Sequence, residues 1–178
     1  VKIVITGGTA GIGLALGNQF RINGHEVTGI SRRTGHNIRS VPKIANTIEP
    51  YDMWISSAQA GFTQTELLFE MSRRWTGTHK SIVVIGTMMT SLPVSFDQAL
   101  DEYRVQKIAL DEAVGQIRHR CLGLRLMVVR PGDIATHPEK TVPPSADVDV
   151  WARTLVDIMT MAQQRNLSIP DISLGPAK

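Results

Sequence analysis

The stretch that most constrains this chain is Thr6-Gly7-Gly8-Thr9-Ala10-Gly11-Ile12-Gly13, set between the apolar run Val1, Ile3, Val4, Ile5 and a segment with helical spacing. A strand that enters a glycine-rich turn and leaves as a helix brings backbone amides and a helix N-terminus to one point, where a phosphate can be received. Gly7, Gly11 and Gly13 lack a Cβ, so they admit dihedrals closed to other residues and let the backbone approach a diphosphate. Three residues separate Gly7 from Gly11 and one separates Gly11 from Gly13, which makes the turn a variant of the G-x-G-x-x-G dinucleotide fingerprint. It lacks the Gly-Lys-Ser/Thr ending of a P-loop, which argues against a nucleoside triphosphatase. A tight strand-to-helix connection is the plainer alternative, and residues further along decide between the two.

Ile12, Leu16 and Phe20 form an apolar helical face that stops at Asn23-Gly24, and Glu26 to Ile30 follows as a second strand. Strand, helix and strand in this order make a right-handed crossover between parallel strands. The end of the second strand then lies where an adenosine ribose would sit, and there the chain carries Ser31-Arg32-Arg33. A carboxylate at that point would accept the 2′-hydroxyl of NAD, whereas a hydroxyl and two guanidinium groups suit a 2′-phosphate. The predicted cofactor is therefore NADP; the alternative is a solvated arginine pair in a loop.

Next, His36-Asn37-Ile38 reads as a vestigial strand and Ser40 to Ile48 as a short helix with Pro42 in its first turn. Tyr51 to Ser57 is a strand ending in the small-residue run Ser56-Ser57-Ala58-Gln59-Ala60-Gly61, at the edge where ligands of open α/β sheets bind. Thr63 to Trp75 has helical spacing. Ser81 to Ile85 is a β-branched run suited to a strand buried on both faces, and it opens into Gly86-Thr87-Met88-Met89-Thr90-Ser91.

A long helix from about Phe96 to Arg120 places Tyr103 and Lys107 one turn apart on one face. An ammonium beside a phenol favours the phenolate, which predicts a Tyr103 pKa below the ordinary value of about 10. Leu124 to Val129 is a strand running into Arg130-Pro131-Gly132-Asp133-Ile134-Ala135-Thr136. The proline-rich segment to Ala146 reads as a mobile loop over a ligand. Val148 to Gln163 is the last helix, and Leu167 to Leu174 an edge strand interrupted by Pro170.

Residues 1–178 form one domain, since that length supports a single core and the chain holds neither linker nor repeat. Apolar residues are 42% and charged residues 20%, an ordinary globular balance rather than a disordered one. No apolar run is long enough to span a bilayer. The net charge of +3 is scattered in short basic pairs, and with 5% aromatic residues the chain lacks the stacking surface of a nucleic-acid binder. His25, His36, His79, His119 and His137 show no metal spacing. Cys121 alone excludes an intrachain disulfide, and with no leader-like segment ahead of the first strand a cytoplasmic location is expected.

In order and spacing, the glycine turn Thr6 to Gly13, the pair Tyr103-Arg104-Val105-Gln106-Lys107 and the Pro131-Gly132 turn ending in Thr136 resemble the short-chain dehydrogenase/reductase family, over nearly the whole chain. That resemblance implies a single-domain α/β fold of Rossmann type, doubly wound, with a mostly parallel sheet and helices on both faces. It also implies a nicotinamide cofactor and hydride exchange with a small carbonyl or alcohol substrate. Tyr103 becomes the proton donor or acceptor at the substrate oxygen, and Lys107 the group that tunes it and holds the nicotinamide ribose. Gly7, Thr9, Gly11, Ile12 and Gly13 are placed at the diphosphate, and Ser31 and Arg32 at the 2′-phosphate. Asn37 and Ile38 fall at the adenine and Ser57 and Ala58 beside the cofactor. Pro131, Gly132, Ile134 and Thr136 run along the carboxamide.

The chain also departs from the family. Thr87 is the best-aligned residue for the family serine, with Thr90 and Ser91 as alternatives. No residue is assigned to the relay asparagine, for which Gln64 is a poor match. The chain is short between its second strand and the helix at Thr63, which implies that one helix is reduced or missing and weighs against the family's helix-mediated homo-oligomers. These departures leave a second reading open, a non-catalytic NADP-binding sensor or regulatory module on the same fold.

Overall fold

The computed structural model describes residues 1–91, 98–136 and 145–177. Six strands form one parallel sheet: β1 (Lys2–Thr6), β2 (Glu26–Ile30), β3 (Met53–Ser56), β4 (Ser81–Ile85), β5 (Arg125–Pro131) and, numbered in chain order, β8 (Asp171–Leu174). Their order is β2-β1-β3-β4-β5-β8, so the chain steps outward from β1 to β2 and then returns across β1 to β3. That reversal opens a crevice at the carboxyl ends of β1 and β3, where ligands of such sheets bind. Two further short strands, β6 (Ile134–Ala135) and β7 (Ala146–Asp147), pair in parallel beside that edge.

Alternation along the central strands divides the core in two. Val4, Trp54, Ile82, Val84 and Val128 face the helices α2 (Val41–Ile48), α3 (Thr63–Trp75) and α4 (Gln98–Arg120). Ile3, Ile5, Ile55, Val83 and Val129 face α1 (Gly11–Ile22) and α5 (Val148–Gln164). A parallel sheet covered on both sides needs apolar residues at consecutive positions, which is why Ile82 to Ile85 are all buried. The sheet thus has three helices on one face and two on the other. β2 ends the strand order, with β1 as its one neighbour among the described residues, and is only half-buried along most of its length. This is the expected shortening in structural form.

Three expectations need correction. His36-Asn37-Ile38 is not a strand. Directly after β2 the chain coils into a 3-10 turn, Arg32–Thr34, capped by Ser31 and Thr34, whose hydroxyl accepts from the Ser31 amide at 2.9 Å. Gly35 follows at φ +79°, which turns the chain before a strand can form, and Ile38 alone plugs the core. The last strand begins only at Asp171, because Pro170 has no N–H to donate to a ladder. β5 also runs past Val129 to end at Pro131, and the Gly132 amide beyond it donates to the Leu174 carbonyl at 3.0 Å. The start of the long helix near Phe96 and most of the proline-rich loop lie outside the described residues.

Candidate active site

A cleft of about 610 Å³ lies at the carboxyl edge of the sheet, within the range typical of small-molecule sites. Its diphosphate-like end is built by the turn after β1. Gly7 and Gly11 take positive φ, +79° and +50°. Gly13 is required for a different reason than its dihedral: a Cβ there would stand 2.4 Å from the Gly7 carbonyl oxygen. The N-cap of α1 is Ala10, which offers no side-chain cap, and the first turn carries no acidic residue. Uncapped N–H groups at a helix N-terminus with no carboxylate beside them suit an anion.

The other end brings together a hydroxyl, a phenol and an ammonium. Thr87, just beyond β4, is buried, lines the cleft and hydrogen-bonds the Tyr103 side chain. Thr90 and Ser91 lie in the following 3-10 turn outside the cleft lining, and the Thr90 hydroxyl donates to the Thr87 carbonyl at 3.1 Å. Thr87 is therefore the hydroxyl beside Tyr103. Lys107 is 4% exposed, and its Nζ donates to Gln64 Oε1 at 2.9 Å and to the Ile85 carbonyl at 3.0 Å. The same Nζ lies 5.6 Å from the centroid of the Tyr103 ring.

The charge balance differs from the sequence-based expectation. Burial pushes the Tyr103 phenol above its ordinary value, and only the Thr87 hydrogen bond pulls it down. Burial also pushes Lys107 down to about 8, opposed by the charge of Asp111. The Lys107 ammonium donates to two neutral oxygens and not to the phenol, and burial of the ring dominates, so the net shift of Tyr103 is upward.

No family model and no curated protein sequence matches the chain. Solved structures do match in three dimensions. An alcohol dehydrogenase of the archaeon Thermococcus sibiricus, complexed with 5-hydroxy-NADP, is 14% identical with a TM-score of 0.78, covering 99% of this chain and 99% of that one. A short-chain dehydrogenase/reductase of Vibrio parahaemolyticus is 17% identical, TM-score 0.75, over 97% and 98% of the two chains. A short-chain dehydrogenase of Sphingobium yanoikuyae, in complex with NADPH, is 16% identical, TM-score 0.69, over 96% and 87%. This chain has the short-chain dehydrogenase/reductase fold.

On that fold, the structure places Gly7, Gly11, Ile12, Ser57, Pro131, Gly132, Ile134 and Thr136 in the lining of the same cleft as Thr87, Tyr103 and Lys107. Gly13 and Ala58 stand behind the lining and support it, Ala58 with its amide 2.9 Å from where a Gly7 Cβ would be. Thr9 and Ser31 are joined at 2.8 Å, which ties the glycine turn to the end of β2. Arg32 is exposed beside them, and its guanidinium has no hydrogen bond or ion pair among the described residues. Asn37 is exposed and its side chain accepts from the Arg39 amide, and Ile38 is buried in the core, so neither belongs to the cleft lining.

Some parts of the site were not anticipated. Gly8 and Gly29 cross so closely that a Cβ on either would come within 2.6 Å of the other's backbone; a glycine inside the otherwise strand-like run Glu26 to Ile30 was the available signal. Gln59 lines the cleft and donates to Gln106, which in turn donates to Glu102 at 2.9 Å, linking the end of β3 to α4. Gln64, in sequence only a poor match to the relay asparagine, is the side chain that Lys107 meets.

Proposed function

We propose that this chain is a short-chain dehydrogenase/reductase that uses NADP(H) to exchange a hydride with a small carbonyl or alcohol substrate. The observation that carries the reading is the meeting of Thr87, Tyr103 and Lys107 in the same cleft as the glycine turn. A nicotinamide dinucleotide fits what surrounds it: a cradle whose Gly7 and Gly13 leave no room for a Cβ, an uncapped helix N-terminus with no acidic residue in its first turn, and an arginine at the adenosine end whose guanidinium has no partner among the described residues. When bound, it supplies or accepts the hydride. Gly7, Gly11 and Ile12 would hold the diphosphate, and Arg32, with Ser31 behind it, the 2′-phosphate that separates NADP from NAD.

The chemistry left to the protein is proton handling. Tyr103 holds the proton that a reduced carbonyl oxygen takes up or an alcohol gives up, and Thr87 orients that phenol and offers a hydroxyl to the substrate oxygen. Lys107 presents a positive charge on the same side, which favours the ionised phenol as the proton leaves.

One observation favours the second reading, a sensor that binds NADP without turnover. Burial pushes the Tyr103 phenol up, which keeps it neutral and weakens it as a base for alcohol oxidation. Oxidation of NADPH across a panel of small aldehydes and ketones, followed by absorbance beside a calorimetric titration, separates the readings. Turnover supports the oxidoreductase, binding without turnover supports the sensor, and absence of binding overturns both.

A further inference from the structure

Gln64 sits at the start of α3, is 3% exposed, and makes four hydrogen bonds. Its Nε2 donates to the Ser56 carbonyl at 2.9 Å, with the Ser56 hydroxyl at 3.2 Å and the Ile85 carbonyl at 3.3 Å. These groups end β3 and β4 at the sheet edge that forms the cleft. With three acceptors on one side, the carboxamide has one sensible orientation, nitrogen toward the sheet and Oε1 toward Lys107. Oε1 accepts from Lys107 Nζ at 2.9 Å, and the Ile85 carbonyl accepts from the same Nζ at 3.0 Å.

An ammonium has three N–H donors. Two are committed to Gln64 and Ile85, and the third belongs to a side chain that lines the cleft. Every oxygen holding the ammonium is neutral. The aromatic ring of Tyr103 is its neighbour on α4, and the charged group nearest in effect is Asp111, also on α4, whose carboxylate is gripped by Arg130 from β5 at 3.2 and 3.3 Å. Among the described residues, the hydrogen-bond partners of Lys107 on α3 and β4 are the Gln64 carboxamide and a backbone carbonyl.

We propose that Gln64 is the positioning residue for Lys107: its carboxamide anchors the ammonium to the ends of β3 and β4 through a neutral acceptor, leaving one N–H and the positive charge to the cleft. This deepens the oxidoreductase reading and rests on it for its catalytic consequence; the coupling of Gln64 to Lys107 stands without it. A carboxylate at the same place would hold the ammonium equally well but would neutralise it. A purely structural glutamine, tying α3 to the sheet, would leave the titration of Lys107 indifferent to the chemistry of residue 64.

The test follows the Lys107 Cε resonance, identified by its loss in Lys107→Met, in protein labelled with [13C]lysine and titrated without cofactor. The wild type is expected to titrate at about 8. In Gln64→Glu the midpoint moves up by about one pH unit or more, and in Gln64→Met it moves down. In the wild type, which needs no folded variant, the side-chain amide signals of Gln64 shift with the same midpoint as Lys107. An unmoved Lys107 midpoint in a folded Gln64→Glu, or Gln64 amide signals that ignore the titration, overturns the proposal. Coupled titration in a protein that turns over no carbonyl supports the positioning of Lys107 while overturning the oxidoreductase reading.

Discussion

Gly13 stands against Gly7 with so little room that a methyl group on it would reach 2.4 Å from the Gly7 carbonyl oxygen. The first turn of α1 therefore rests directly on the turn after β1, and the spacing of the two glycines sets how close the helix N-terminus comes to the cleft. Gly13→Ala forces this turn apart. Calorimetry is expected to show NADPH affinity reduced by about tenfold or more, with some loss of thermal stability. Gly115→Ala is the control. It lies inside α4 with open space around it, and is expected to gain up to about 1 kcal/mol in stability with affinity unchanged.

Arg32→Ala removes an exposed guanidinium at the end of β2 that has no partner among the described residues. A hydrogen bond between charged groups contributes about 1.5–3 kcal/mol, so NADPH affinity should fall by about tenfold or more while NADH affinity stays within a factor of about two. Equal losses for both cofactors would place Arg32 elsewhere than at the 2′-phosphate.

Thr87 hydrogen-bonds Tyr103, and its hydroxyl also accepts from the Met89 amide at 3.3 Å. Thr87→Val keeps the shape and removes both functions of the hydroxyl. Turnover should drop by about 10²–10³-fold with little change in cofactor binding, whereas Thr87→Ser keeps activity. Steady-state rates with both variants, beside NADPH titrations, check this.

Lys107 sets a pH dependence of stability that needs no substrate. Its folded pKa of about 8 lies below the value of about 10.4 in an unfolded chain. Between these values the unfolded state binds more protons, so stability rises with pH through that window; below it the full cost of burying the ammonium applies. The gain amounts to about 2 kcal/mol between about pH 8 and pH 10. Tyr103 works in the opposite sense above about pH 10, because the folded state keeps a phenol proton that the unfolded chain releases. Thermal melts should therefore rise in midpoint across this window in the wild type and flatten in Lys107→Met.

Much of the fold could be read from local pattern. The bounds of α3 and β4 follow from helical spacing over Thr63–Trp75 and from the β-branched run Ser81–Ile85, since each element buries residues at its own period. The cleft-lining glycines, Tyr103 and Lys107 were legible for the same reason: short motifs carry them. What could not be read depends on contacts between distant segments. Gln64 meets Lys107 across 43 positions, and Gly8 meets Gly29 only once the crossover is closed. The chain after β2 turns instead of extending because the Ser31 to Thr34 cap overrides the short apolar hint at Ile38. The Tyr103 pKa departs from the sequence-based expectation because spacing places the ammonium but says nothing of burial or of what else holds it.

The most direct measurement is hydride exchange by Tyr103→Phe, made beside a calorimetric titration of the same variant with NADPH. Loss of the hydroxyl alone is expected to leave cofactor affinity as in the wild type and to lower turnover of a small carbonyl by about 10²–10⁴-fold. A Tyr103→Phe protein that binds NADPH and turns over as fast as the wild type would contradict the account.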